Sequence, residues 1–125
     1  MSEKKVIRIG ILGFGTVGQG VWKQLTENAS SLESILGVSL EPVRVAVQDL
    51  SKAREVELST EQLTTDTQSI VDDPSIDVIC ELMGGVNLAR ELTLRAFANG
   101  KHVVTANKAL ICDHGQEIFE AAEKA

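Results

Sequence analysis

Apolar positions fall along the chain in two alternating rhythms. Val6 to Leu12 is a short run of β-branched and aliphatic residues broken by Arg8, and it ends on glycines, which predicts a strand. From Thr16 the period lengthens. Val17, Val21 and Leu25 stand at i, i+4 and i+8, marking one face of a helix that runs to about Ala29. The stretch SSLESILG is expected to be a connector with at most a helical turn, ending at Gly37. A second strand follows at about Leu40 to Val47, with Pro42 near its start, and the polar segment from Asp49 to Asp66 is expected to be loop with short elements. Thr67 to Val71 suits a helical turn before the breaker Asp72-Asp73-Pro74. Ile76 to Leu82 is a third strand, closed by Gly84 and Gly85. Leu88, Leu92 and Ala96 mark a helix that stops at Asn99-Gly100, and His102 to Thr105 is a fourth strand. Asp113 with Gln116 three residues on has the form of a capping box opening the last helix, with Ile118, Ala121, Ala122 and Ala125 inward.

Strands alternating with helices imply right-handed crossovers and an α/β fold of the Rossmann type, a doubly wound parallel sheet with helices on both faces. The 125 residues have room for one domain, taken as 1–125. The last helix is still in apolar period at Ala125 with nothing to end it, so the chain is expected to be truncated, the first part of something longer. With no Tyr, one Trp and three Phe, the core must come from Val, Ile, Leu and Ala, which suits a sheet covered on both faces. A formal net charge of −6 argues against nucleic acid or an anionic membrane as partner. It leaves room for a small polyanion, because a helix N-terminus is locally positive whatever the net charge. Cys80 and Cys112 are read as free thiols of a reducing compartment. Met-Ser-Glu-Lys-Lys is too polar for a signal peptide and no apolar run approaches ~20 residues, so a cytoplasmic protein is expected.

The chemistry is concentrated in IGILGFGTVGQG, residues 9–20, where Gly13-x-Gly15-x-x-Gly18 follows one predicted strand and opens a helix. Gly13 permits the tight turn, Gly15 lets backbone approach a pyrophosphate, and Gly18 allows helix and strand to pack closely. Free N–H groups from Gly15 to Val17, with the helix dipole behind them, would hold the phosphates. The fingerprint also wants an acidic residue about twenty positions on to bind a ribose. Here the candidate is Asp49, about thirty residues past Gly18, a delay that SSLESILG absorbs. Arg54 or Lys52 would meet a 2′-phosphate. Ligands of such sheets lie beyond the carboxyl ends of the strands, where Gly13–Gly18, Gln48–Asp49, Met83–Gly85 and Thr105–Lys108 all fall. His102 belongs to the opposite end of its strand, roughly 13 Å away, and His114 to a helix start, so neither is expected in the chemistry.

With these residues placed, the chain resembles the amino-terminal nucleotide-binding domain of homoserine dehydrogenase. GILGFGTVGQGV, ELMGG at Glu81–Gly85 and GKHVVTANKAL at Gly100–Leu110 carry the resemblance, with VAVQDLSKAR at Val45–Arg54 a looser fourth stretch. It implies reversible, NAD- or NADP-dependent interconversion of homoserine and aspartate 4-semialdehyde in threonine and methionine synthesis. On that likeness Phe14, Gly15, Thr16 and Val17 hold the coenzyme phosphates, and Gly84 with Thr105 to Asn107 lines the nicotinamide side. Lys108 corresponds to a family lysine placed for catalysis and cofactor or substrate contact. An ammonium there suits the reduction of an aldehyde, whose oxygen gains negative charge and then a proton.

Two departures limit the transfer. Many members of the family carry arginine where this chain has Gln48, which leans the coenzyme towards NAD, with Arg54 as the counterweight. The family's substrate-binding and dimerisation region, its second catalytic lysine and its sodium site lie beyond residue 125, so no metal site is expected here. Alone, the chain is expected to be inactive, and the whole enzyme to be a homodimer or larger and, with no kinase-like region ahead of Met1, monofunctional. Two other readings remain open from the residues alone: a different semialdehyde or amino-acid dehydrogenase, and a module that senses NAD(H) without chemistry.

Overall fold

Val6–Leu12 forms β1, the middle strand of a five-stranded sheet in the computed structural model, which describes residues 5–51 and 54–124. After β1 come α1 (Thr16–Glu27), α2 (Ala29–Leu36), β2 (Ser39–Ala46), β3 (Leu63–Thr64) and α3 (Thr67–Val71). The second half adds β4 (Val78–Glu81), α4 (Asn87–Ala98), β5 (His102–Thr105) and α5 (Lys108–Lys124). The strand order is β3-β2-β1-β4-β5 and every pairing is parallel. The chain therefore builds outward from β1 on one side, then crosses back to build on the other. The point of reversal, between β1 and β4, is where such sheets open a crevice at their carboxyl ends.

Alternation along the strands decides which helices cover which face. Ile9, Ile11, Val45 and Cys80 point towards Trp22 of α1, while Leu12, Ala46 and Ile79 point towards Ile70 and Val71 of α3 and Leu92 and Ala96 of α4. Gly10 lies on the second face, where a β-carbon would sit 2.5 Å from a methyl of Ile70, so that helix closes tightly on the sheet. α5 packs on α4 through Leu110 and Ile118 against Ala89.

Four expectations change. SSLESILG is not a connector but the body of α2, closed by Gly37 in the left-handed conformation at φ 75°. In α4, Leu92 and Ala96 are buried, but Leu88 is 48% exposed and Ala89 and Thr93 complete the inner face. Helix begins earlier than expected, at Lys108, where the Asn107 Oδ1 accepts from the Leu110 amide at 3.0 Å and so caps the first turn; the backbone then breaks at His114 (φ −133°, ψ 19°), and the final helical segment starts there, within the expected Asp113–Gln116. On its inner face Ile118 is buried and Ala122 is exposed. Lys52 and Ala125 lie outside the described residues.

Lys101, just before β5, is a buried cation with a structural task. It is 5% exposed, and its Nζ donates to the carbonyls of Asp73 at 2.5 Å and Ile76 at 2.6 Å. Those carbonyls close the α3–β4 connection, which the Asp72–Arg95 pair also holds from outside. Lys101→Met keeps the stem and removes both donors. It is expected to cost about 2–4 kcal/mol in urea unfolding, since two carbonyls lose their charged partner.

Candidate functional site

The carboxyl end of β1 turns sharply because Gly13 adopts φ 98°, a conformation closed to most side chains. The turn is pinned to both neighbouring strands: the Gly13 amide donates to the Ala46 carbonyl at 2.9 Å, and the Leu82 amide to the Leu12 carbonyl at 2.8 Å. A β-carbon on Gly18 would lie 2.4 Å from the Gly13 carbonyl oxygen, so α1 leaves the sheet in close contact with the turn. Gly15 differs from both. It is the N-cap of α1, no side chain caps that terminus, and the space where its β-carbon would go is empty of protein to 4 Å. The amides of Thr16, Val17 and Gly18 precede the first intrahelical bond, Gln19 to the Gly15 carbonyl at 2.9 Å. An uncapped helix end facing open space is suited to an anion.

That space belongs to a cleft of about 830 Å³ whose walls are Gly13–Gly15, Ala46–Asp49, Arg54, Thr65, Thr67, Leu82–Gly84 and Leu88. Phe14 contributes backbone, because its ring is buried edge-on against Trp22 at 6.1 Å. Gln48 and Asp49 stand exposed at the mouth. The Asp49 Oδ1 accepts from the Ser51 amide at 2.9 Å and hydroxyl at 2.6 Å, and its carbonyl accepts from an Arg54 guanidinium nitrogen at 2.8 Å. The acid and the cation expected at a ribose are thus on one folded loop.

Beside it lies a second opening of about 360 Å³, sharing Leu82 and Met83 with the first and lined also by Val17, Ala106, Asn107 and Lys108. Val17 is 59% exposed towards it. Lys108 is the first residue of α5 and is exposed. Thr105 faces inward: its hydroxyl donates to Glu81 Oε2 at 2.6 Å and accepts from the Asn107 amide at 3.0 Å. The Asn107 Nδ2 donates to the Gly85 carbonyl at 2.6 Å, so Asn107 holds the loop after β4 as well as capping α5. Gly84, in the wall of the larger cleft, also carries no protein atom where a β-carbon would be.

The sheet therefore brings together the glycine turn, Gln48, Asp49, Arg54, Gly84, Asn107 and Lys108 along one continuous rim. Thr16 is exposed on the first turn of α1, and Gly18 is buried beneath the turn. Glu81 was not among the expected residues. It is wholly buried, and its Oε1 accepts from the Met83 amide at 3.0 Å while Oε2 holds Thr105. An acidic residue set between Cys80 and Leu82 at the apolar end of IDVICEL was the available signal. His102 is exposed at the amino end of β5, away from the rim, and His114 sits at the break in α5. Both cysteines are free, and burial pushes the Cys80 thiol up.

A family profile described as the NAD-binding domain of homoserine dehydrogenase matches residues 13–125. Homoserine dehydrogenase of Bacillus subtilis is 42% identical over 120 residues, 96% of this chain and 28% of that protein. A crystal structure of a homoserine dehydrogenase from Thiobacillus denitrificans superposes with a TM-score of 0.91 at 47% identity, over 99% of this chain and 28% of that one. A hyperthermophilic archaeal homoserine dehydrogenase in complex with NADPH, 22% identical over 95% of this chain and 41% of its own, has the same fold at a TM-score of 0.68. The chain thus spans about 28% of the length of the first two of these relatives.

Proposed function

The chain belongs to the homoserine dehydrogenase NAD-binding domain family, and we propose that it forms the coenzyme half of an enzyme interconverting homoserine and aspartate 4-semialdehyde. The observation that carries this reading is Gly15: an uncapped helix terminus opening on a cleft, with no protein atom within 4 Å of where its β-carbon would lie. The amides of Thr16 and Val17 would bind the pyrophosphate, with Phe14 and Gly15 supplying the backbone surface beside it. Asp49 and Gln48 would take the adenosine ribose, and Gly84, Asn107 and Lys108 the nicotinamide side, with Thr105 behind them holding Glu81 and the Asn107 amide. Gln48, uncharged at the mouth, favours NAD, and Arg54 in the wall of the same cleft adds affinity for the 2′-phosphate of NADP.

When bound, the nicotinamide supplies or accepts the hydride. Lys108 would face the substrate oxygen, stabilising its negative charge as the aldehyde is reduced and delivering the proton that completes the alcohol. In the reverse direction the same group receives that proton. Substrate carboxylate and amine, subunit association and any metal ion would be handled by the remainder of the protein, and the free thiols are in keeping with a cytoplasmic setting.

Trp22, the only tryptophan, lies behind Phe14 in the cleft wall and provides the test. Titration with NADH and NADPH is expected to quench its emission saturably, through energy transfer to the reduced nicotinamide. No saturable quenching by either coenzyme would overturn the coenzyme reading.

A further inference from the structure

Two side chains of α1, Gln19 and Lys23, reach the residues that follow Arg54. The Gln19 Oε1 accepts from two successive backbone amides, Glu55 at 2.9 Å and Val56 at 3.2 Å, and its Nε2 donates to the Phe14 carbonyl at 3.4 Å. Two N–H donors on one side fix which end of the amide is oxygen, so the side chain's orientation follows from chemistry. One turn further along the helix, Lys23 pairs with Glu55 at 2.9 Å, and this contact holds the Glu55 carboxyl below its ordinary range. Val56 and Leu58 pack against the cluster that contains Trp22, so the loop has an apolar foot beside its polar clasp.

The consequence is geometric. Gln19 spans from the carbonyl of the glycine turn, which faces the pyrophosphate subsite, to the residue next to Arg54, which faces the adenosine subsite. We propose that Gln19 is a positioning residue for coenzyme selection: its amide clasps the 55–56 backbone to the phosphate turn and so sets where Arg54 meets a 2′-phosphate. The inference rests on the coenzyme reading above and adds to it a residue that does not itself line the cleft. A shorter or apolar side chain would not reach both partners, and a carboxylate of the same length would accept from the two amides but has no donor for the Phe14 carbonyl, so the full clasp calls for glutamine.

The test uses the whole protein, with Gln19→Ala, Gln19→Glu and Arg54→Ala, and NADH and NADPH as probes. Without coenzyme, hydrogen exchange at the Glu55 and Val56 amides is expected to accelerate about tenfold or more in Gln19→Ala, and to stay slow in Gln19→Glu, whose carboxylate still accepts from both. With coenzyme, Gln19→Ala is expected to weaken NADPH about tenfold and NADH about threefold or less, with kcat unchanged. Adding Arg54→Ala to Gln19→Ala should then cost little more, because the two changes remove one interaction. Unchanged exchange at the two amides would overturn the clasp. Equal weakening of both coenzymes, or full additivity with Arg54→Ala, would reduce Gln19 to ordinary packing and overturn its part in selection. A wild type that binds NADH but not NADPH would also overturn it, since Arg54 then meets no phosphate. A wild type that binds neither fails the coenzyme reading itself, a result visible before any variant is made.

Discussion

Replacing Gly15 by valine is expected to weaken NADH and NADPH binding by about 100-fold or more while leaving the melting temperature where it was. The size follows from what the side chain would occupy. Amides at the start of α1 that hold phosphate make charge-assisted bonds, each worth about 1.5–3 kcal/mol, and a branched side chain standing in front of them removes at least two. The unchanged stability follows from the same position seen from the protein's side. Gly15 has extended backbone at φ −81° and ψ −153°, and no protein atom lies within 4 Å of its β-carbon direction. The neighbouring glycines behave oppositely. Gly18→Ala places a β-carbon 2.4 Å from the Gly13 carbonyl oxygen, which is backbone and cannot swing away. That change is expected to cost about 1–3 kcal/mol of stability as the helix shifts off the strand. Equilibrium titration of Trp22 emission and thermal melts on the two variants separate the effects. Normal coenzyme binding by Gly15→Val would mean that the turn is only a turn.

These three glycines show what kind of information the sequence carries well. Their spacing, with a strand before and a helix after, was enough to place a tight turn at Gly13 and a close contact at Gly18, and both are local: a positive φ at the first, a β-carbon 2.4 Å from backbone at the second. The strands were legible for a similar reason, since the runs of β-branched and aliphatic residues in Val6–Leu12 and His102–Thr105 are a property of consecutive residues. What failed was information held between distant segments. α2 buries none of its residues, so its apolar positions gave no face to recognise. In α4 the inward side joins Leu92 to the small residues Ala89, Thr93 and Ala96, and Leu88 is the one expected position that falls outside it. The start of α5 was hidden because Asn107 serves as both loop anchor and cap, and Asp113–Gln116 offered a more familiar signature.

The site divides along the same line. The glycine turn and the helix that follows it were visible in the chain, whereas Glu81 and Gln19 acquire meaning only when the sheet is assembled. Glu81 reaches Thr105 because the strands register those two residues side by side. Gln19 reaches Glu55 and Val56 because the loop after β2 returns over α1. In each case a polar side chain in an unremarkable position finds its partners across a gap in sequence that periodicity cannot span.

Lys108→Ala is expected to lower kcat of the whole enzyme by about 10²–10⁴-fold while coenzyme affinity changes by about threefold or less. Lysine is an unfavourable choice for the place it occupies. As the first residue of α5 it puts a cation where the helix dipole is already positive, and no acidic residue in that turn compensates. Such a local conflict is the kind retained where function requires it. Its benefit would be a concentrated positive potential at the smaller opening, from the ammonium and the helix terminus together, next to the loop that Asn107 and Glu81 hold in place. A substrate oxygen gaining charge there is stabilised in the transition state more than in the ground state, which is the condition for an effect on kcat rather than on binding. Lys108→Arg separates the two tasks assigned to the ammonium. Arginine keeps the charge but does not release a proton, so recovery of most of the lost rate would assign electrostatic stabilisation, and no recovery would assign proton transfer. Loss of coenzyme affinity with kcat intact would make Lys108 a binding residue, and unchanged turnover in Lys108→Ala would remove it from the mechanism.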